Sequence, residues 1–137
     1  MTAPNLKNPT TIIGKTECVG IGTTAKVGIL TNSGASDKVL KINSVFAANV
    51  GNSNMFVNVA IANTVGTAFT THIAKDLIVV PNTTQIISSK DTYFYLEEGQ
   101  TLETQVQIAG TSFLSANGVE FVIGYEDISW PIEEEEL

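Results

Sequence analysis

Apolar and polar residues alternate along most of this chain with a period of two, the signature of half-buried strands. The clearest run is 38–50. Leu40, Ile42, Phe46, Ala48 and Val50 fall on one face, with Ser44 among them, and Lys41, Asn43 and Asn49 on the other. A turn-forming cluster, Asn49-Val50-Gly51-Asn52-Ser53-Asn54, follows, and Met55, Val57, Val59 and Ile61 then line one face of a second run. Two such runs around such a turn predict a β-hairpin. Further on, Leu102, Val106 and Ile108 alternate with Glu103, Gln105 and Gln107, and Val119, Phe121, Ile123 and Tyr125 with Glu120 and Glu126. Shorter strands are predicted at 10–14, 17–21, 26–30, 68–73, 76–80, 84–88 and 93–96. No stretch of a dozen residues carries a convincing helical period.

The count is about eight to ten strands with turn signals at roughly ten-residue spacing, the pattern of an all-β sandwich. At 137 residues the chain accommodates a single antiparallel β-sandwich of jelly-roll type, with eight strands in two sheets. The predicted division is an N-terminal arm (1–9), a sandwich domain (10–129) and an acidic C-terminal tail (130–137), in which Trp130 and Pro131 precede Glu133, Glu134, Glu135 and Glu136.

Composition narrows function. Charged residues make up 15% of the chain, against about 25% for an average domain. The seven cations are all lysine and the net charge is −7, a poor match to nucleic acid or to an anionic membrane surface. One Cys and one His exclude an intramolecular disulfide, Cys-rich zinc sites and any site needing two histidines. The first residues have no apolar segment after a basic start, so no secretory signal is expected.

No constellation selects a catalytic site. Glu97 and Glu98 are adjacent and read as a hydrated turn. His72 and Cys18 form a nucleophile–base pair only on paper, because Cys18 lies in an apolar strand where a buried, inert thiol is expected. The loops at 20–24 and 33–37 lack the lysine and the following helix of a phosphate cradle. Asp37, Asp76, Asp91 and Asp127 are scattered, without a calcium-loop pattern. The expectation is no catalytic, cofactor-binding or metal residue and no cofactor. Tyr93, Tyr95 and Trp130 are candidate glycan-stacking residues, against core packing and interface contacts. Trp130 and Ile132 are candidate apolar anchors for a partner subunit, with Glu133 to Glu136 meeting its lysines.

The run Tyr95-Leu96-Glu97-Glu98-Gly99-Gln100, with Leu102 and then Val122 to Ser129, resembles the C-terminal half of small virion structural proteins of tailed bacteriophages, cyanophages among them. Ala25 to Leu30, the Asn32–Asp37 turn and Val39 to Ile42 resemble the N-terminal strands of the same group. Gln100 stands where Asp is usual, and the tail after Ser129 is extra. The resemblance implies a non-enzymatic virion protein, made in the host cytoplasm: a capsid decoration (cement), neck or tail-associated protein. Its expected partners are copies of itself, as a trimer or higher homo-oligomer, and other virion proteins such as the major capsid protein. A carbohydrate- or receptor-binding sandwich is the alternative.

Overall fold

A computed structural model describes residues 9, 11–21, 26–63, 70–108 and 118–130. Among these residues nine strands run in chain order: β1 (Thr11–Ile21), β2 (Val27–Asn32), β3 (Lys38–Asn49), β4 (Met55–Asn63), β5 (Thr70–Val79), β6 (Thr84–Ser88), β7 (Phe94–Leu96), β8 (Gln100–Ile108) and β9 (Val119–Ser129). One sheet has the order β1-β9-β3-β6, with β7 also on β3, and the other β2-β8-β4-β5; all pairs are antiparallel. β6 and β7 lie end to end along one edge of β3, separated by a short 3-10 turn at Lys90–Thr92, so together they act as a single broken strand. The eight strand positions form two interlocked four-stranded sheets with the jelly-roll order. The predicted fold class is therefore met.

The predicted hairpin is not. β3 and β4 lie in different sheets: β3 pairs β9, β6 and β7, and β4 pairs β8 and β5. The 50–54 turn is a corner between sheets. Local turn chemistry is the same in both cases, and only the distant partners β9 and β8 decide between them.

A second difference concerns which side of β3 faces in. Leu40 and Ile42 point into the core, but so do Val45 and Ala47, not Phe46 and Ala48, and Val50 is exposed. The ladder with β9 shifts register between Ile42 and Ser44. The extra residue, Asn43, is a β-bulge, and one extra residue reverses which face every later side chain takes. Asn43 donates from Nδ2 to the Glu126 carboxylate at 2.9 Å. The bulge also brings Ser44 against Gly124, where a Cβ would sit 2.9 Å from the serine hydroxyl.

The remaining boundaries differ in detail. The two predicted front strands are one continuous β1, and the pair at 68–73 and 76–80 is one β5, bent by two register shifts in its ladder with β4 and by a left-handed Asp76 (φ 51°).

Between the sheets lies an apolar layer: Ile42, Val45, Ala47, Val57, Val59, Leu96, Leu102, Val106, Val119, Phe121 and Ile123 are fully buried. Its backbone is closed at the rims by two buried asparagines. Asn32 donates from Nδ2 to the carbonyls of Lys38 (2.9 Å) and Leu96 (3.0 Å) and accepts from the Ser36 hydroxyl. Asn49 donates to the carbonyls of Ser53 (2.8 Å) and Val79 (2.7 Å) and accepts from the Gly51 amide (2.9 Å). Each side chain thus ties strand ends of one sheet to those of the other.

One inward group is unmatched. Thr104, between Leu102 and Val106, is buried, and its hydroxyl has no partner among the described residues. An unanswered hydroxyl in an apolar layer costs about 1–3 kcal/mol. Thr104→Val keeps the shape and removes the hydroxyl, so it is expected to raise stability by roughly 1 kcal/mol. Urea denaturation measures this as a higher midpoint at constant slope.

Candidate functional site

Two turns meet at one end of the sandwich. In the Asn32–Asp37 turn, Ala35 (φ 65°) and Asp37 (φ 56°) hold left-handed backbone; in the 96–100 turn Gly99 does (φ 80°). The Gly99 amide donates to the Asn32 carbonyl at 2.8 Å, and the Asp37 amide donates to Glu98 Oε2 at 2.9 Å. The Glu97 amide donates to Gln100 Oε1 at 2.7 Å, closing the second turn on itself. Both turns belong to the segments that resemble virion proteins, and in three dimensions they form one structure. Trp130 joins them: it is half-buried and its amide donates to the Asp37 carbonyl at 3.3 Å.

Glu98 corrects the expectation of a hydrated turn. It is half-buried and caps backbone. Burial pushes its carboxyl upward, but the bonds to its charged form, from the Asp37 amide and the backbone at Ser36 among them, outweigh burial and leave it below the ordinary glutamate range.

A second charged group was not legible in sequence. Asp127, on β9, is buried and accepts from Lys15 on β1 at 3.2 Å and from Lys38 on β3 at 3.3 Å. The three residues come from three adjacent strands. Asp127, by hydrogen bond and by charge, holds the Lys15 ammonium above its ordinary range. With both lysines half in solvent, the triad is an ion-paired plug at the open end of the apolar layer, not a reactive centre.

The candidate nucleophile and base are far apart. Cys18 is exposed, contrary to expectation, because Val19 rather than Cys18 takes the inward side of β1. His72 is exposed on β5, opposite Ala60, on the outer side of the other sheet. The whole sandwich separates them, and sheets stack about 10 Å apart. His72 lines a shallow indentation with Lys26, Asn58, Thr70 and Glu103. Among the described residues no three His, Cys, Asp or Glu side chains come together as metal ligands would.

The aromatic candidates also divide. Tyr93 and Tyr95 meet edge to face, with centroids 5.8 Å apart, and the Lys41 ammonium lies 4.4 Å from the centre of the Tyr93 ring. Tyr93 is exposed and Tyr95 half-buried. By register Tyr95 is level with Lys41 and Ser129 with Lys38, so Trp130 lies near Asp37 and Tyr93 near Asn43. That is about 20 Å along the strand at 3.3 Å per residue. The three rings do not form one stacking platform. Ile132 and Glu133 to Glu136, like most of the N-terminal arm, lie outside the described residues.

The outer face of the β1-β9-β3-β6 sheet presents an uncharged surface. Cys18, Val122, Phe46 and Ile86 stand opposite one another in a row across four strands, and Thr16, Gly124 and Ser44 form the next row. Among the described residues no charge interrupts it between Glu120 and Glu126.

The fold has known counterparts. A structure of infectious bursal disease virus, Gx strain, superimposes with a TM-score of 0.51 and 11% identity, over 89% of this chain and 33% of that one. This chain therefore spans about a third of the length of the viral chain it matches. A structure of the T13 particle of that virus (TM-score 0.46, 11% identity, 93% of this chain and 41% of that one) and one of Desmodium yellow mottle tymovirus (0.38, 14%, 98% and 95%) align more loosely and add no weight. No family model matches the chain, and no curated protein does. What is shared at this level is the sandwich itself.

The Glu98 cap gives a pH dependence with a definite sign. A carboxyl held lower in the folded than in the unfolded state stabilises the fold above its unfolded pKa. That contribution is lost as pH falls through the ordinary glutamate range and below. Glu98→Gln removes the titrating group, so its melting temperature is expected to fall less between pH 6 and pH 3 than that of the unaltered chain. Thermal melts followed by circular dichroism check this.

Proposed function

We propose that this chain is a non-enzymatic structural protein of a virion. It acts as a capsid decoration, or cement, protein of a tailed bacteriophage, made in the host cytoplasm. It works through contact area, with copies of itself in a trimer or higher homo-oligomer and with other virion proteins such as the major capsid protein. The observation that carries this reading is the uncharged outer face of the β1-β9-β3-β6 sheet, with Phe46 and Val122 half-buried and Ile86 exposed on it. Such a face packs against protein with little charge to desolvate. Consistent with that reading, His72 and Cys18 are too far apart to act as a nucleophile–base pair, and Asp127 is paired with two lysines. The mutual contact of the two turns adds support, because it gives the resembling segments a shared structural reason.

Mass spectrometry of purified particles, with heads separated from tails, is the test. The expected result is many copies in the head fraction. A few copies at the head–tail junction would move the protein to the neck, and absence from particles together with glycan-array binding would replace the proposal with receptor recognition.

Trp130 is proposed as an anchor for a neighbouring subunit, with Ile132 beside it and Glu133 to Glu136 facing lysines. Exposed ion pairs contribute only about 0–1 kcal/mol each, whereas a buried aromatic anchor contributes ~2 kcal/mol or more. Deleting 130–137 is expected to leave the circular dichroism spectrum unchanged and to lower particle occupancy by roughly tenfold or more at raised salt. Trp130→Ala is expected to do most of that damage, and replacing the four glutamates by glutamine little of it.

A further inference from the structure

Every open sheet has edges, and an unpaired edge is a template for another strand. Among the described residues this sandwich has four. β2 carries a register shift between Gly28 and Leu30. β5 carries two shifts and the left-handed Asp76. The β6/β7 edge is broken by the Lys90–Thr92 turn. Each of these is a device that spoils strand addition. β1 has none: it pairs β9 over all eleven residues without a shift, and nothing among the described residues pairs with its other side. It also exposes Ile12 (57%) and Ile13 (50%), large apolar side chains that an isolated edge would not carry to advantage.

The sequence of β1 is self-complementary. In an antiparallel pair about a two-fold axis perpendicular to the sheet, residues of like face oppose, so the two residue numbers sum to an even value. With Thr16 opposite Thr16, Lys15 opposes Glu17 on both sides of the axis. Ile13 then opposes Val19, Ile12 covers Gly20, and Gly14 opposes Cys18. Shifting by one permitted step puts Lys15 opposite Lys15 or Glu17 opposite Glu17, and like charges directly opposite are destabilising. Lys15 alone is an inward-pointing lysine of the kind that guards an edge. Here it already serves Asp127, and an ammonium has three donors, so Lys15 retains donors for Glu17 of a second copy.

We propose that β1 is a self-association edge. Two copies of this chain join antiparallel through Thr11–Ile21 about a two-fold axis at Thr16, fusing their β1-β9-β3-β6 sheets into one. This deepens the self-assembly reading above and rests on it for its biological setting. The contact is isologous, so it links pairs of copies and leaves other surfaces for the remaining contacts of a larger assembly.

The test is cross-linking by register, in the full chain with its one cysteine replaced by Cys18→Ser. Directly opposed residues have Cα atoms about 4.5–5.5 Å apart, within disulfide reach. Thr16→Cys, at an exposed position, is expected to give a covalent dimer quantitatively under mild oxidation. Ile12→Cys is expected to give none, since its copies lie eight residues apart, about 27 Å. In sedimentation equilibrium the unaltered chain is expected to dimerise, and Glu17→Lys, which sets lysines against lysines twice, to weaken the dimer about tenfold or more. Equal cross-linking at both positions, a monomer at every concentration, or a dimer indifferent to Glu17→Lys would overturn the proposal. An oligomer that forms without the Thr16→Cys cross-link overturns this contact and leaves the virion reading intact. A β1 dimer from a protein absent from particles does the reverse.

Discussion

The fold depends on satisfying backbone groups where the chain crosses from one sheet to the other. A jelly roll crosses at almost every connection, and each crossing breaks a hydrogen-bond ladder at the rim of an apolar layer, where water is scarce. Unpaired amides and carbonyls there would cost as much as the layer gains. Asn32 and Asn49 answer this at the two ends of the region spanned by β3. Each is buried and uses both its amide hydrogens and its oxygen on groups from separate segments. Glu98 does the same for Asp37. The corners are therefore held by three specific side chains as well as by chain geometry, and the inner layer is left to apolar packing, with Thr104 as its unmatched hydroxyl.

Strand positions were legible because period-two alternation is a direct imprint of one buried face. β4, β8 and β9 were placed within a residue or two, and their inward residues largely correctly. Beyond the Asn43 bulge the alternation predicts the opposite inward face of β3, since no residue type announces a bulge as distinct from a polar position in a strand. The 50–54 corner has the residues of a hairpin turn because turn residues report a reversal, not its partner. Glu98 hides its role for a related reason: a glutamate beside a glycine looks hydrated until the Asp37 amide is brought to it across 61 residues. The apolar neighbours of Cys18 predict a core position, although one step of alternation from Val19 puts it outside. The Lys15–Asp127–Lys38 triad joins segments more than a hundred positions apart at its extremes and left no local trace.

Charge is distributed with the same economy. Three of the seven lysines have specific partners: Lys15 and Lys38 neutralise the buried Asp127, and Lys41 lies by Tyr93. Among the described residues, the outer face of the β1-β9-β3-β6 sheet is neutral between Glu120 and Glu126. Solubility then falls to scattered acidic residues and to the net charge of −7, which disfavours indiscriminate stacking of copies while permitting contacts in which opposite charges are matched.

The β1–β9 ladder links folding to association. It joins Thr11 to Ser129, so closing it encloses nearly all the intervening chain. The entropic cost of closure grows only logarithmically with length, but contacts this distant in sequence form slowly and depend on the structure between them. β9 is in turn paired with β3 along its length. The outer edge of β1 is therefore the edge whose support is most distant in sequence. An edge built this way is expected to limit premature pairing of partly folded copies, because its regular eleven-residue template rests on contacts that close nearly the whole chain. The three edges whose ladders close over shorter stretches of chain, on β2, β5 and β6/β7, are the ones interrupted by shifts and turns.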